Sequence, residues 1–161
     1  ELKAAIGSST STITLTFAAN FNCSYDSQIS ISSGDVTIHG GNATCDANLL
    51  GRFYAISSGA SLALNAMTLK NGGFATNGEN AVTGNGGAIS NAGTLHVTLA
   101  NFTRNQAGYW GGAIYNAGTL TFKYGNFTGN SAHTGVCNSS PQPVPLLYSD
   151  PGYRAVLELL H

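Results

Sequence analysis

Charge is what this 161-residue chain has least of. Asp, Glu, Lys and Arg make up only 8% of it, against about 25% in ordinary globular proteins. The formal net charge is −1, with no basic or acidic block. The electrostatic footprint of a nucleic-acid or anionic-membrane binder is therefore missing. No apolar run approaches the roughly 18 residues that a membrane-spanning helix needs. Nucleophile-elbow, phosphate-loop and Cys-x-x-Cys patterns are absent as well. The chain opens at Glu1 with neither Met nor a signal-peptide pattern, which reads as a mature or trimmed form. Low charge alone would also suit a disordered segment. However, apolar residues reach 42% and alternate in order, so a single domain with a continuous core is expected.

What is present is a repeat. Gly86-Gly87-Ala88-Ile89 recurs as Gly111-Gly112-Ala113-Ile114, and Asn91-Ala92-Gly93-Thr94-Leu95 as Asn116-Ala117-Gly118-Thr119-Leu120. Asn101-Phe102-Thr103-Arg104-Asn105 recurs as Asn126-Phe127-Thr128-Gly129-Asn130. All three offsets are 25 positions, the mark of a stacked repeat architecture. Ile31-Ser32-Ser33-Gly34 returns at the same offset as Ile56-Ser57-Ser58-Gly59. Ile56 to Ile89 is 33 positions, so that coil carries about eight extra residues. They are assigned to a lateral loop near 74–84, rich in turn formers.

Within each repeat, apolar residues alternate. The sets are Ile13/Leu15/Phe17, Val36/Ile38, Leu62/Leu64, Leu95/Val97/Leu99 and Leu120/Phe122/Tyr124. Period-two alternation between Gly-, Asn- and Ser-rich turns predicts strands with one buried face. The expected fold is all-β: a right-handed parallel β-helix of about five coils over residues 1–133, with short capping segments. Stacked rungs about 4.8 Å apart place Val97 on Phe122, Phe102 on Phe127 and Asn105 on Asn130. Inward Asn residues would bond to one another and to turn backbone. The paired glycines supply positive φ and close backbone approach at a corner, and Ala88 and Ala113 fit where a larger side chain would clash.

The ends do not repeat. Leu2–Ile6 reads as a short N-terminal cap. Residues 134–161 form a separate tail, with Pro141, Pro143 and Pro145 in an extended stretch. Asp150-Pro151 then reads as the start of a short C-terminal helix with Tyr153, Val156, Leu157 and Leu160 on one face. That helix caps the rod or meets a neighbouring subunit.

The Gly-Gly-Ala-Ile tetrads and the Phe102-Thr103-Arg104-Asn105 and Phe127-Thr128-Gly129-Asn130 tetrads together resemble the polymorphic outer-membrane-protein repeat. The match covers about residues 84–133. The opening Glu1–Ile6 is similar, over a short stretch, to the lead-in of pectin-lyase-like β-helices. The resemblance implies a right-handed β-helix used at cell surfaces for adhesion or display. The same fold class hosts pectate lyases, polygalacturonases and uronan epimerases, which need clustered carboxylates.

Candidate sites follow from this frame. Asn22, Asn42, Asn101, Asn126 and Asn138 each begin an Asn-x-Ser/Thr triplet, the N-glycosylation acceptor pattern. They point to eukaryotic secretion, or else are chance products of a Ser/Thr/Asn-rich chain. Cys23 and Cys45 lie 22 positions apart, close to one repeat. They form a disulfide if the chain is secreted, or stay two buried thiols. Cys137 is left over, for another chain, for a segment outside this sequence, or as a free thiol. Asp26, Asp35 and Asp46 with Arg52 are the best carboxylate group, but later coils carry Ser61, Thr94 and Thr119 in place of Asp35. His39, His96, His133 and His161 lack metal-ligand spacing. Outward Thr14, Thr16, Thr94, Thr119 and Thr121 suggest an ice-binding row, which Asp35, His39, His96 and Lys123 interrupt. Tyr109 and Trp110 do not repeat and read as a sugar or partner contact, or as packing beneath the tail.

The expected function is that of a secreted, glycosylated cell-surface or extracellular-matrix structural protein. It self-assembles or adheres, with no cofactor and no catalytic or metal residues. Its partners are copies of itself or other surface proteins. The alternative is a carbohydrate-active β-helix enzyme or sugar-binding module acting on polysaccharide.

Overall fold

The computed structural model describes residues 12–24, 27–74 and 84–132. The N-terminal cap, Asp26, most of the lateral loop, and the tail with Cys137 and Asn138 lie outside the described residues. Among the described residues there is no helix. The chain is an all-β parallel solenoid of about four turns; the sequence spacing suggested about five. Five strands stack in its longest row, and five strands bound four turns.

The first two turns carry β1 (Ile13–Thr16), β2 (Asn22–Ser24), β3 (Ile29–Ile31), β4 (Asp35–Asp46), β5 (Leu50–Gly51) and β6 (Tyr54–Ile56). The third carries β7 (Ser61–Lys70), β8 (Gly73–Phe74) and β9 (Ile89–Asn91), and the fourth β10 (Thr94–Thr98), β11 (Asn101–Thr103), β12 (Gln106–Ala107) and β13 (Ile114–Asn116). The strands β14 (Thr119–Lys123), β15 (Asn126–Thr128) and β16 (Ser131–Ala132) lie on the rung that bounds the fourth turn. Strand order in the main row is β1-β4-β7-β10-β14, all parallel. A second row runs β3-β6-β9-β13. The pair β5–β8 is antiparallel.

Parallel register converts sequence periodicity into columns. Ile13, Val36, Leu62, Leu95 and Leu120 stack inward, as do Leu15, Ile38, Leu64, Val97 and Phe122. A third inward column runs Cys23, Cys45, Leu69, Phe102 and Phe127. The middle members are sealed: Leu62, Leu69, Leu95, Val97 and Phe102 have no exposed surface. Rings of Phe102 and Phe127 stack at 5.1 Å and 12°.

The expected pairing of Ile56 with Ile89 is not what forms. Ile89 sits on Tyr54, and Ile56 on Asn91, both 35 positions apart. The neighbouring pair Ser61 and Thr94 is 33 apart. The insertion is therefore larger than eight, and the turn after β9 is two residues shorter than the one after β6. Asn91 explains the shortening. Its Oδ1 accepts from Gly93 N at 3.1 Å, and its Nδ2 donates to Thr119 O at 2.9 Å and to Asn116 Oδ1. A buried Asn here ties a tight corner that Ile56 cannot tie.

Asn105 does the same at the other corner. Its Oδ1 accepts from Gly72 N at 2.8 Å, and its Nδ2 donates to Leu69 O at 3.1 Å and Asn130 Oδ1 at 2.9 Å. Asn130 repeats the pattern one rung later, accepting from Asn105 N and donating to Phe102 O. The paired glycines behave as the sequence suggested. Gly86 and Gly111 have φ of +78° and +67°. A Cβ on Gly87 would meet Gln106 N at 2.6 Å, closer than any real contact.

Phe102→Ala is expected to destabilise the fold by about 3–5 kcal/mol, read by urea denaturation. Phe127→Ala, in the same column but half-exposed on the last rung, should cost clearly less. Equal losses would contradict the sealing of the inner rungs.

Candidate functional site

The two faces of the alternating strands separate core from chemistry. In β2, β11 and β15 the middle residues Cys23, Phe102 and Phe127 point inward, so their neighbours point out. Parallel pairing then files Asn22, Thr44, Thr68, Asn101 and Asn126 into one outward row. Ser24, Asp46, Lys70, Thr103 and Thr128 form the row beside it. Asn126 Nδ2 donates to Asn101 Oδ1 at 3.2 Å. Asn42 lies outside these rows, exposed at the bulge that interrupts β4, with φ of +64°. Asn138 and Cys137 lie outside the described residues. Cys23 and Cys45 are in register, Cα atoms 4.5 Å apart, and joined by a disulfide between adjacent rungs.

The described members of the carboxylate group, Asp35, Asp46 and Arg52, are not brought together. Asp35 and Asp46 stand at opposite ends of β4, since both belong to one 12-residue strand. Asp35 is exposed and in register with Ser61. Asp46 instead binds Lys70 Nζ at 3.1 Å and accepts from Asn71 Nδ2 and Asn48 N, each at 2.9 Å. Partial burial acts to raise the Asp46 pKa. The bonds from Asn71, Asn48 and Lys70 outweigh it and hold the carboxyl below its ordinary value. Arg52 turns the other way, its Nε donating to Gly86 O at 3.1 Å. Among the described residues no group of three His, Cys, Asp or Glu side chains converges.

The threonine row is broken further than the sequence showed. One outward row reads Thr14, Thr37, Ala63, His96, Thr121, and the next Thr16, His39, Asn65, Thr98, Lys123. His39 and His96 are both exposed and in different rows, so no histidine ladder forms.

Tyr109 and Trp110 do form a patch, with a third member. Trp110 stacks on Tyr115 at 6.4 Å and 23°, and Tyr109 lies 6.3 Å from Trp110. Tyr109 is 42% exposed. Tyr115 occupies the outward column of Ser30, Ala55 and Ser90. The signal was available in the repeat: Tyr115 stands 25 positions after Ser90, an outward aromatic replacing a small residue. Asn85 stands 25 positions before Trp110, between Gly84 and Gly86, whose backbones bond to Tyr109 and Trp110; its Oδ1 is buried without a hydrogen-bond partner among the described residues.

No sequence-family model, curated protein or solved structure matches this chain.

The Asp46 cluster gives a pH signature. A depressed carboxyl contributes stability above its unfolded value, about pH 3.9, and loses it as pH falls through the lower folded value. Asp46→Asn should therefore flatten the acid limb of stability below about pH 4. At neutral pH the exposed pair is worth no more than about 1 kcal/mol. Thermal melts of both chains from pH 7 to pH 2 check this; parallel acid limbs would refute it.

Proposed function

We propose that this chain is a secreted, glycosylated structural rod of the cell surface or extracellular matrix, and that it assembles with copies of itself. The observation that carries the reading is the state of the last described rung. Leu95, Val97, Phe102 and Ile89 are fully buried, whereas their column partners Leu120, Phe122, Phe127 and Ile114 are half-exposed. Among the described residues β14 is the last strand of the main row. A parallel strand laid on it would extend the same columns, which is how edge strands recruit another chain. Such head-to-tail contacts do not close on themselves and generate filaments.

Other features support the address. The Cys23–Cys45 disulfide suits an oxidising compartment, and the Asn-x-Ser/Thr triplets suit secretion. The repeat tetrads favour kinship with polymorphic outer-membrane-protein repeats and hence a right-handed coil. We read the protein as non-enzymatic because Asp46, which among the described carboxylates is the one paired with a basic side chain, is occupied by Lys70 and Asn71.

Light scattering of the purified full chain, with and without reductant, is the direct test. Particles that grow with protein concentration are expected, and Phe122→Lys, with unchanged far-ultraviolet circular dichroism, should reduce them. Collapse on reduction would assign the link to Cys137. A particle near 16.5 kDa plus glycans at every concentration would refute self-assembly.

A second reading, carbohydrate binding, rests on the Trp110–Tyr115 stack. Aromatic faces are natural platforms for sugar rings. Trp110 is the chain's one tryptophan, so intrinsic fluorescence reports this patch alone. Neutral oligosaccharides should shift its emission saturably, and Tyr115→Ala should weaken that shift. A flat response across a polysaccharide panel would end this reading.

A further inference from the structure

We infer that Asn22, Asn101 and Asn126 carry N-linked glycans in single file, and that Asn101 and Asn126 carry them simultaneously on adjacent rungs. The inference rests on the secretory reading above and adds the geometry. The acceptor triplet has the same period as a strand. Its first and third residues share one face, and its middle residue takes the other. All three triplets lie wholly on strands, Asn22–Ser24, Asn101–Thr103 and Asn126–Thr128. In each, the middle residue belongs to the same inward column of Cys23, Cys45, Leu69, Phe102 and Phe127. The core requirement at the middle position thus forces each acceptor Asn outward. A glycan attached before folding does not obstruct the core, because no acceptor has to turn in.

Asn22 and Asn126 are exposed, and Asn101 is half-exposed. Asn22 lies at the far end of the row from Asn126, four rungs away at about 4.8 Å per rung, or roughly 19 Å. Thr44 and Thr68 fill the rungs between. The tight case is the neighbouring pair. Asn126 Nδ2 donates one hydrogen to Asn101 Oδ1 at 3.2 Å, and a primary amide has two. Glycosylation uses the other. The carboxamide nitrogen attacks the anomeric carbon of an oligosaccharide carried on a polyprenyl diphosphate. The C1–O bond to diphosphate breaks, the Nδ2–C1 bond forms, and the proton lost from nitrogen leaves with the base that accepts it. The product is a secondary amide that keeps one N–H. The observed side-chain bond can therefore persist with both asparagines modified, and the two first sugars leave the rod on adjacent rungs.

The test is to express the full chain with Asn138→Gln, secreted from a eukaryotic host, and cleave it after Glu79 and Glu158. The fragment 80–158 then contains two acceptors, Asn101 and Asn126. Its intact mass under reducing conditions is expected to show two glycans on most molecules, falling to one with Asn101→Gln and one with Asn126→Gln. With Asn42→Gln added, the fragment preceding it retains Asn22 as its one acceptor triplet and should carry one glycan there. After trimming to single sugars, the doubly modified chain should melt no lower than the Asn101→Gln/Asn126→Gln variant. Fragments with one glycan or the other, never both, would overturn the single-file arrangement while leaving secretory glycosylation standing. Absence of glycan from every acceptor would overturn the secretory reading itself.

Discussion

The structure depends on one constraint: each rung must lay its backbone parallel to the next and in register. A parallel ladder leaves no freedom to pair unlike positions, because a slip of one residue would turn the inward column outward. Like therefore sits on like. Leu95 meets Leu120, Phe102 meets Phe127 and Asn105 meets Asn130 because the ladder allows nothing else. The repeat offset is the sequence image of that rule.

The ladder also carries conformations that single residues would avoid. Leu99 and Tyr124 hold φ of +56° and +55°, and Asn71 and Arg104 hold +52° and +54°. Left-handed backbone costs L-residues roughly 1–2 kcal/mol each. Three of the four are pinned by a bond to the next rung: Leu99 N to Lys123 O, Asn71 N to Thr103 O, Arg104 N to Thr128 O. Gly129 occupies the same corner without strain from a side chain, at +62°. The corners are thus set by rung-to-rung bonding more than by glycine, and bulky side chains such as Leu99 and Tyr124 are turned into solvent there.

Where the 25-residue offset held, the sequence was a reliable guide. Inward asparagines, the two roles of the paired glycines and most column members could be read from it; Leu99 and Tyr124, expected on the buried face with Val97 and Phe122, instead point into solvent because positive φ at that corner breaks the alternation. Ile56 was misplaced for a physical reason. A corner can be shortened by two residues when a buried Asn supplies the bonds, and the expected inward-to-inward match of Ile56 with Ile89 then fails. The bulge after His39 was hidden for a similar reason: Gly40, Gly41 and Asn42 look like any turn, yet pairing resumes at Ala43 on Met67. The Asp35–Asp46 grouping looked close in sequence, but one long strand holds the two apart. Tyr115 is not legible in the repeat tetrads because it replaces Ser90 at an outward position, where the core imposes no likeness from rung to rung. Asn22 joined the acceptor row through strand pairing across rungs whose spacing departs from 25, which no offset in the sequence announces.

Among the described residues, the same rule that seals the middle of the rod leaves the columns open at β14, and this links self-assembly to the glycan row. An assembly built by extending the columns from β14 must keep the outward rows running as well. The acceptor row would then continue from one copy to the next, and its glycans would lie along one side of any filament. The thin β14 edge is free of that crowding, because its outward residues Thr119, Thr121 and Lys123 stand in other rows. Sugar on one face and growth from the β14 edge are compatible because alternation sends side chains and strand pairing in different directions. A solenoid can therefore be shielded along its side while remaining competent to grow at its tip.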